Sequence, residues 1–128
     1  MKELTKAEEQ LMQILWRLGK GFINDILDEL PDPKPAYNTV STIVRILEKK
    51  GYVNYTAYGK AHEYYPVISK KEYTKTYFGH FMQNYFGNSY REMVSFFTRD
   101  NNLDIRELEQ LKQAMAEEII RKKIEENE

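Results

Sequence analysis

The sequence has no cysteine among its 128 residues, which excludes disulfide bonds, thiolate metal sites and cysteine nucleophiles. It also lacks any apolar run near the ~20 residues that a transmembrane helix needs. The first ten residues, MKELTKAEEQ, carry acids where a signal peptide needs an apolar stretch. Together these absences lead us to expect a cytoplasmic protein, since a chain without cysteine fits a reducing compartment.

Groupings of catalytic or metal-binding residues are also scarce. The two histidines, His62 and His80, lie 18 residues apart, with no ligand pair at metal spacing beside either. No glycine-rich phosphate loop is present. Ser41 and Ser95 lack the histidine and carboxylate neighbours that would activate a nucleophile. We therefore predict no enzyme activity, no cofactor and no bound metal.

The formal net charge of −1 conceals an uneven distribution of charge along the chain. Residues 1–33 carry −3, residues 34–75 carry +5 and residues 76–128 carry −3. A basic middle between acidic flanks localises contact with a polyanion such as nucleic acid. The alternative is a chance scatter of charge.

Three helices are predicted in the first half of a chain that is long enough for one domain, or for one domain plus an appendage. A capping box at Thr5-Lys6-Ala7-Glu8 opens the first helix, which glycines end. A short second helix covers residues 22–30, and prolines make residues 31–36 a stiff connector. Asn38 is predicted to cap the third helix, over residues 39–50.

A β-hairpin is predicted directly after these helices. Its strands, at residues 52–57 and 61–67, are rich in Tyr and Val, and Tyr58-Gly59-Lys60 supplies the turn. Three helices followed by a hairpin is the element order of a winged helix-turn-helix, in which one helix enters the major groove of DNA. We therefore predict a winged-helix DNA-binding domain over residues 1–68.

The second half is predicted to be helical, which makes the whole chain mainly α with one small β-hairpin. Ser69-Lys70-Lys71-Glu72 is a second capping box, and it opens an aromatic-rich helix that runs to about Tyr85. Another short helix precedes a turn at Asp100-Asn101-Asn102, and Asp104 is predicted to cap the final helix. We assign residues 69–128 to a helical dimerisation region.

The predicted third helix has an apolar stripe and a polar face. At ~100° per residue, the stripe consists of Val40, Ile43, Val44 and Leu47. Hydroxyl, amide and cationic side chains on the other face can contact phosphates and base edges, unless they form an ordinary solvated face. The predicted DNA contacts on this face and near the hairpin tip are Asn38, Thr39, Ser41, Thr42, Arg45, Lys49, Tyr58, Lys60 and His62.

A homodimer is predicted from two physical arguments. Operator half-sites one helical turn apart need two recognition helices about 34 Å apart, and a tethered second contact raises the affinity. Residues 68–124 also hold more apolar surface than a lone winged domain can cover, which favours burial between two copies over an intramolecular second core. The predicted interface residues are Tyr73, Tyr77, Phe78, Phe81, Tyr85, Phe96, Leu108, Leu111 and Met115.

From about Leu4 to Met115, the sequence resembles the penicillinase repressor family. The segments that carry the resemblance are LTKAEEQLMQILWRLGKGFINDILDEL, NTVSTIVRILEKKGYV and YGKAHEYYPVIS. The resemblance implies a homodimeric winged-helix transcriptional repressor bound to a palindromic operator on double-stranded DNA. It aligns Thr39 and Thr42 with threonines that begin the family's recognition helix.

The resemblance also implies a form of regulation. In members that control β-lactam resistance, a membrane sensor with a protease domain triggers cleavage of the repressor, and the aligned bond here is Ser95-Phe96. This chain has Ser95 where some members have Asn, and its arginine is Arg45 where relatives often have a basic residue aligned with Ile46. Without cysteine it lacks the metal motif of the family's copper-responsive branch. A winged-helix module that binds a protein instead of DNA is the alternative function.

Overall fold

A computed structural model, which describes residues 2–100 and 102–128, contains six helices and one two-stranded antiparallel hairpin in those residues. This confirms the prediction of a mainly α winged helix-turn-helix fold with further helices after it. In the described residues, no helix combines the length and the apolar character that crossing a bilayer requires. The elements are α1 (Lys6–Leu18), α2 (Ile23–Asp28), α3 (Tyr37–Lys49), β1 (Val53–Tyr58), β2 (Ala61–Pro66), α4 (Lys70–Phe86), α5 (Tyr90–Asp100) and α6 (Ile105–Glu126).

Helix α1 begins at the predicted capping box. The Thr5 hydroxyl accepts from the Glu8 amide, and the Glu8 carboxylate accepts from the Thr5 amide, each at 3.2 Å. At the other end Gly19 has φ of +83°, a conformation that favours glycine, and its amide donates to the Leu15 carbonyl at 2.8 Å. The sequence therefore correctly predicted both ends of α1.

The start of α3 differs from the prediction. Ala36 and not Asn38 is the N-cap, because the Ala36 carbonyl accepts from the amides of Thr39 and Val40 at 3.0 and 3.2 Å. Pro35 lacks the backbone amide that a position inside the helix requires, and α3 begins two residues after it, at Tyr37. Asn38 lies inside the first turn, and its carbonyl accepts from the Thr42 hydroxyl at 2.8 Å.

Helix α2 is shorter than predicted, and a lysine side chain caps its C-terminal end. The Lys34 ammonium donates to the carbonyls of Leu27, Asp28 and Leu30 at 3.2, 3.1 and 2.7 Å. A cation at this position satisfies the last carbonyls of the helix and matches the negative end of its dipole. Lys34 therefore ties the connector between α2 and α3 to the C-terminal end of α2.

The hairpin has a two-residue turn, one residue shorter than predicted. Tyr58 pairs with Ala61, so the loop consists of Gly59 and Lys60, and Gly59 has φ of +63°. Tyr64 of β2 also exchanges two backbone hydrogen bonds with Gly21, at 2.9 and 2.8 Å. This bridge attaches the hairpin to the segment between α1 and α2.

The core of the first compact unit, which ends at Phe78, extends into α4. The Tyr73 ring packs on Trp16 and Tyr52, with centroid separations of 5.5 and 5.9 Å, and its hydroxyl donates to the Glu9 carboxylate at 3.0 Å. Burial and the bond to Glu9 raise the pKa of Tyr73. Tyr73, which the sequence analysis places at a dimer interface, is therefore a core residue of the single chain, with 9% of its surface exposed.

The second compact unit begins at Gly79 and contains an aromatic cluster. The Phe86 ring lies 5.7 Å from Phe81, 5.8 Å from Phe96 and 6.3 Å from Phe97, measured between centroids. The predicted cap of α6 is confirmed, because the Asp104 carboxylate accepts from the Glu107 amide at 2.8 Å. One residue of the predicted turn before it, Asn101, lies outside the described residues.

Candidate nucleic-acid interface

The outward face of α3 is polar and solvent-exposed. Val40, Val44 and Leu47 are fully buried in the core, as the sequence predicts. At ~100° per residue, Asn38, Thr42 and Lys49 lie opposite these buried residues, and all three are exposed. The face therefore presents an amide, a hydroxyl and a cation in one row along the helix.

A groove of about 410 Å³ separates α3 from the hairpin. Side chains from three parts of the first unit converge on it, and none of the residues that line it is acidic. Such a groove favours anions, because Arg45 and Lys60 line it and no lining side chain is acidic. The lining residues are Phe22, Ile23, Asn24, Tyr37, Ser41, Arg45, Lys60, Ala61, His62 and Tyr64.

Ring stacking fixes the imidazole of His62 on the hairpin. Its ring lies 4.0 Å from the Tyr55 ring at an interplanar angle of 6°, and its edge meets Tyr64 at 6.2 Å. Burial raises the pKa of the Tyr64 phenol, with a further upward contribution from Glu48 and an opposing one from Arg45. The hairpin side of the groove therefore presents packed aromatic rings.

The predicted DNA-contacting residues fall into three neighbouring groups on the first unit. Four of them line the groove, namely Ser41, Arg45, Lys60 and His62. Four others lie elsewhere on the exposed surface of α3, namely Asn38, Thr39, Thr42 and Lys49. Tyr58 is exposed at the end of β1, where its ring lies 6.0 Å from that of Phe22.

Sequence reasoning missed two polar groups of the groove, Asn24 and Tyr37. Asn24 lies at the start of α2, and Tyr37 is the first residue of α3. Tyr37 was missed because α3 was predicted to begin later, and Asn24 because short α2 gave few cues to its orientation. The spacing of Tyr37, Ser41 and Arg45, four residues apart, is the signal that places them on one side of a helix.

A partly buried ion pair lies at the C-terminal end of α3. The Lys50 ammonium forms an ion pair with the Glu8 carboxylate and donates to the Glu3 carbonyl at 3.0 Å. Desolvation of Glu8 raises its pKa, but the hydrogen bonds from Lys50 and Thr5 and the charge of Lys50 outweigh it and hold the pKa below the ordinary value. Lys50 is thereby engaged in the fold, whereas neighbouring Lys49 is exposed.

The residues predicted at a dimer interface are mostly accessible in the single chain. No residue of α6 is buried, although the helix carries seven large apolar side chains. Tyr77, Phe78, Tyr85 and Phe96 of the preceding helices are also exposed, and Phe81 is half-buried. The apolar residues of α6 are Ile105, Leu108, Leu111, Met115, Ile119, Ile120 and Ile124.

Comparison with known proteins gives matches over nearly the whole chain. A family model described as penicillinase repressor matches residues 4–117. The penicillinase repressor of Bacillus licheniformis is 25% identical over 122 residues, which cover 94% of this chain and 95% of that protein. The methicillin resistance regulatory protein MecI of Staphylococcus aureus (strain N315) is 23% identical over 111 residues, or 86% of this chain and 90% of that protein. A solution structure of the DNA binding domain of the repressor BlaI matches 57% of this chain and 94% of its own, at 27% identity and a TM-score of 0.49.

Proposed function

This chain belongs to the penicillinase repressor family, and from that premise we propose that it is a homodimeric transcriptional repressor that binds a palindromic DNA operator. The observation that carries the proposal is the exposed polar face of α3 beside a groove without acids. Repression follows where the operator overlaps a promoter, since bound repressor then excludes the polymerase.

In the proposed complex, α3 enters the major groove and the hairpin contacts the adjacent backbone. Arg45 can donate two hydrogen bonds to guanine or to a phosphate, which gives it a role in base discrimination. Lys60 occupies the two-residue turn at the hairpin tip and provides a charge for phosphate contact. The bridge between Gly21 and Tyr64 supports this division of roles, because it ties the hairpin to the helical part of the unit.

The proposed dimer uses the apolar stripe of α6. Leu108, Leu111, Met115 and Ile119 follow one another at spacings of three, four and four residues, which keeps them on one side of the helix. The 22 residues of α6 span about 33 Å at ~1.5 Å per residue. A helix of this kind gains most of its stability by burying its apolar face, and a second copy supplies a surface of the same chemistry. Within the second unit, the exposed side chains of Tyr85 and Phe96 offer further apolar surface to a partner.

The proposed regulation is proteolysis at the Ser95-Phe96 bond, triggered by a membrane sensor in response to a signal such as a β-lactam. This bond lies within α5, where the Thr98 hydroxyl donates to the Ser95 carbonyl at 3.2 Å. A protease needs extended backbone, so cleavage requires α5 to unwind locally. The cut would separate α6 from the first unit, and the loss of the dimer would then release the operator.

Substitution of two groove cations is expected to separate base recognition from phosphate contact. Arg45→Ala should reduce the preference for operator over scrambled duplex by about 10-fold or more, since one bidentate base contact is lost. Lys60→Ala should weaken both duplexes about equally and lower the slope of log affinity against log salt by about one. Fluorescence anisotropy titrations of both duplexes at several salt concentrations measure both effects.

Lys6→Ala is the matched control, because it removes an exposed cation of α1 instead of one at the groove. Its affinity should stay within about twofold of the parent protein. If Arg45→Ala and Lys60→Ala behave like Lys6→Ala, the proposed docking is wrong. If the parent protein itself shows no salt-sensitive DNA binding, a protein-interaction module becomes the better account.

A further inference from the structure

An aliphatic side chain interrupts the polar face of α3. Ile46 is 40% exposed, whereas Val40, Val44 and Leu47 of the same helix are fully buried. At ~100° per residue, Ile46 lies roughly 50° to one side of the outward direction, and Arg45 lies roughly 50° to the other side. An exposed isoleucine here is next to the cations Arg45 and Lys49, on the surface that the proposed function assigns to DNA.

Isoleucine can recognise only one feature of the major groove. It has no hydrogen-bonding group, so it cannot read the donors and acceptors of the base edges. The 5-methyl group of thymine is the apolar group that this groove displays, and aliphatic side chains pack on it. We infer that Ile46 determines specificity by contact with a thymine methyl group in each half-site. The inference rests on the proposed function and adds one specific base contact to the proposed DNA complex.

The methyl group of Thr42 provides further apolar surface beside Ile46. It lies four residues before Ile46, so the two side chains are adjacent along one side of the helix. The Thr42 hydroxyl donates to the Asn38 carbonyl at 2.8 Å, which engages its proton within the helix. The Thr42 methyl and Ile46 can then form a small apolar patch beside Lys49, on the side of the polar face away from Arg45.

The test replaces thymine methyl groups one at a time. A duplex selected by the protein from a randomised pool is resynthesised with deoxyuridine in place of each thymine, which removes the methyl and keeps every hydrogen-bonding group. The parent protein should lose about fourfold in affinity at one thymine per half-site, the effect of burying one methyl group. Ile46→Ala should bind the thymine and uracil duplexes about equally at that position, with an unchanged salt slope because no charge is removed.

Val67→Ala is the matched control, since it shortens another exposed aliphatic side chain of the first unit that lies outside α3. It should keep the full thymine preference of the parent. Circular dichroism checks that Ile46→Ala is folded, as expected for a residue outside the buried core.

Two results would overturn the inference while the proposed function stands. One is tight binding of the selected duplex together with an unchanged affinity when deoxyuridine replaces any of its thymines. The other is an Ile46→Ala variant that keeps the parent's preference, which would assign the contact to another side chain. Failure to select any duplex would instead contradict the proposed function itself.

Discussion

Leu111→Glu is expected to convert the dimer into monomers at micromolar concentration and to lower operator affinity by about 100-fold or more. Leu111 is 48% exposed in the single chain and lies outside the buried core, so the substitution should disturb the folded protomer little. In the proposed dimer it would place two charges in the apolar stripe, and burying an unpaired charge costs several kcal/mol. Analytical ultracentrifugation and a gel shift with the operator measure the two effects.

Gln110→Glu is the control for this prediction. It introduces the same charge one residue earlier, on the side of α6 away from the stripe, and should leave both the sedimentation and the gel shift close to those of the parent. A Leu111→Glu protein that still sediments as a dimer would show that α6 is not the interface. The exposed aromatic residues of α4 and α5 would then be the candidate interface.

Lys50→Met is expected to destabilise the protein by about 3 kcal/mol, because it leaves the Glu8 carboxylate buried without its ion pair. The Glu8 side chain is only 4% exposed and that of Lys50 22%, so solvent compensates little for the lost partner. Urea denaturation followed by circular dichroism measures the loss. The adjacent Lys49→Met is the matched control and should change stability by less than about 0.5 kcal/mol, since Lys49 is exposed.

The same ion pair sets an expected pH dependence. Since the folded protein holds the pKa of Glu8 below its ordinary value, the unfolded chain binds this proton more readily. The stabilisation is therefore fully present above about pH 5 and is lost as the pH falls through the lowered folded pKa. Glu8→Gln should show a flatter stability profile than the parent between about pH 5 and pH 3. Identical slopes for the two proteins would contradict this assignment.

Local sequence signals predicted the parts of the fold that depend on local chemistry. The Thr5 and Asp104 caps, the glycine at the end of α1 and the hairpin around Gly59 each follow from residues a few positions apart. The apolar stripe of α3 also followed, since helical periodicity identified Val40, Val44 and Leu47 as core residues.

Contacts between distant segments account for what the sequence did not predict. Tyr73 looked like an interface residue because nothing local indicates that its ring meets Trp16 and its hydroxyl meets Glu9. Lys34 looked like one more cation of the basic segment, whereas it satisfies the end of α2. The groove needed the structure as well, since contacts distant in sequence, such as the Gly21–Tyr64 bridge, help to position the hairpin that lines it.

Hydroxyl-radical footprinting on the DNA upstream of the gene for this chain tests the central claim, that two copies of the α3 face read one duplex. The account predicts two protected half-sites related by a twofold axis, with centres about one or two turns of ~10 base pairs apart. Protection should weaken steeply as salt rises. A single asymmetric site, or no protection at concentrations where the protein is dimeric, would contradict it.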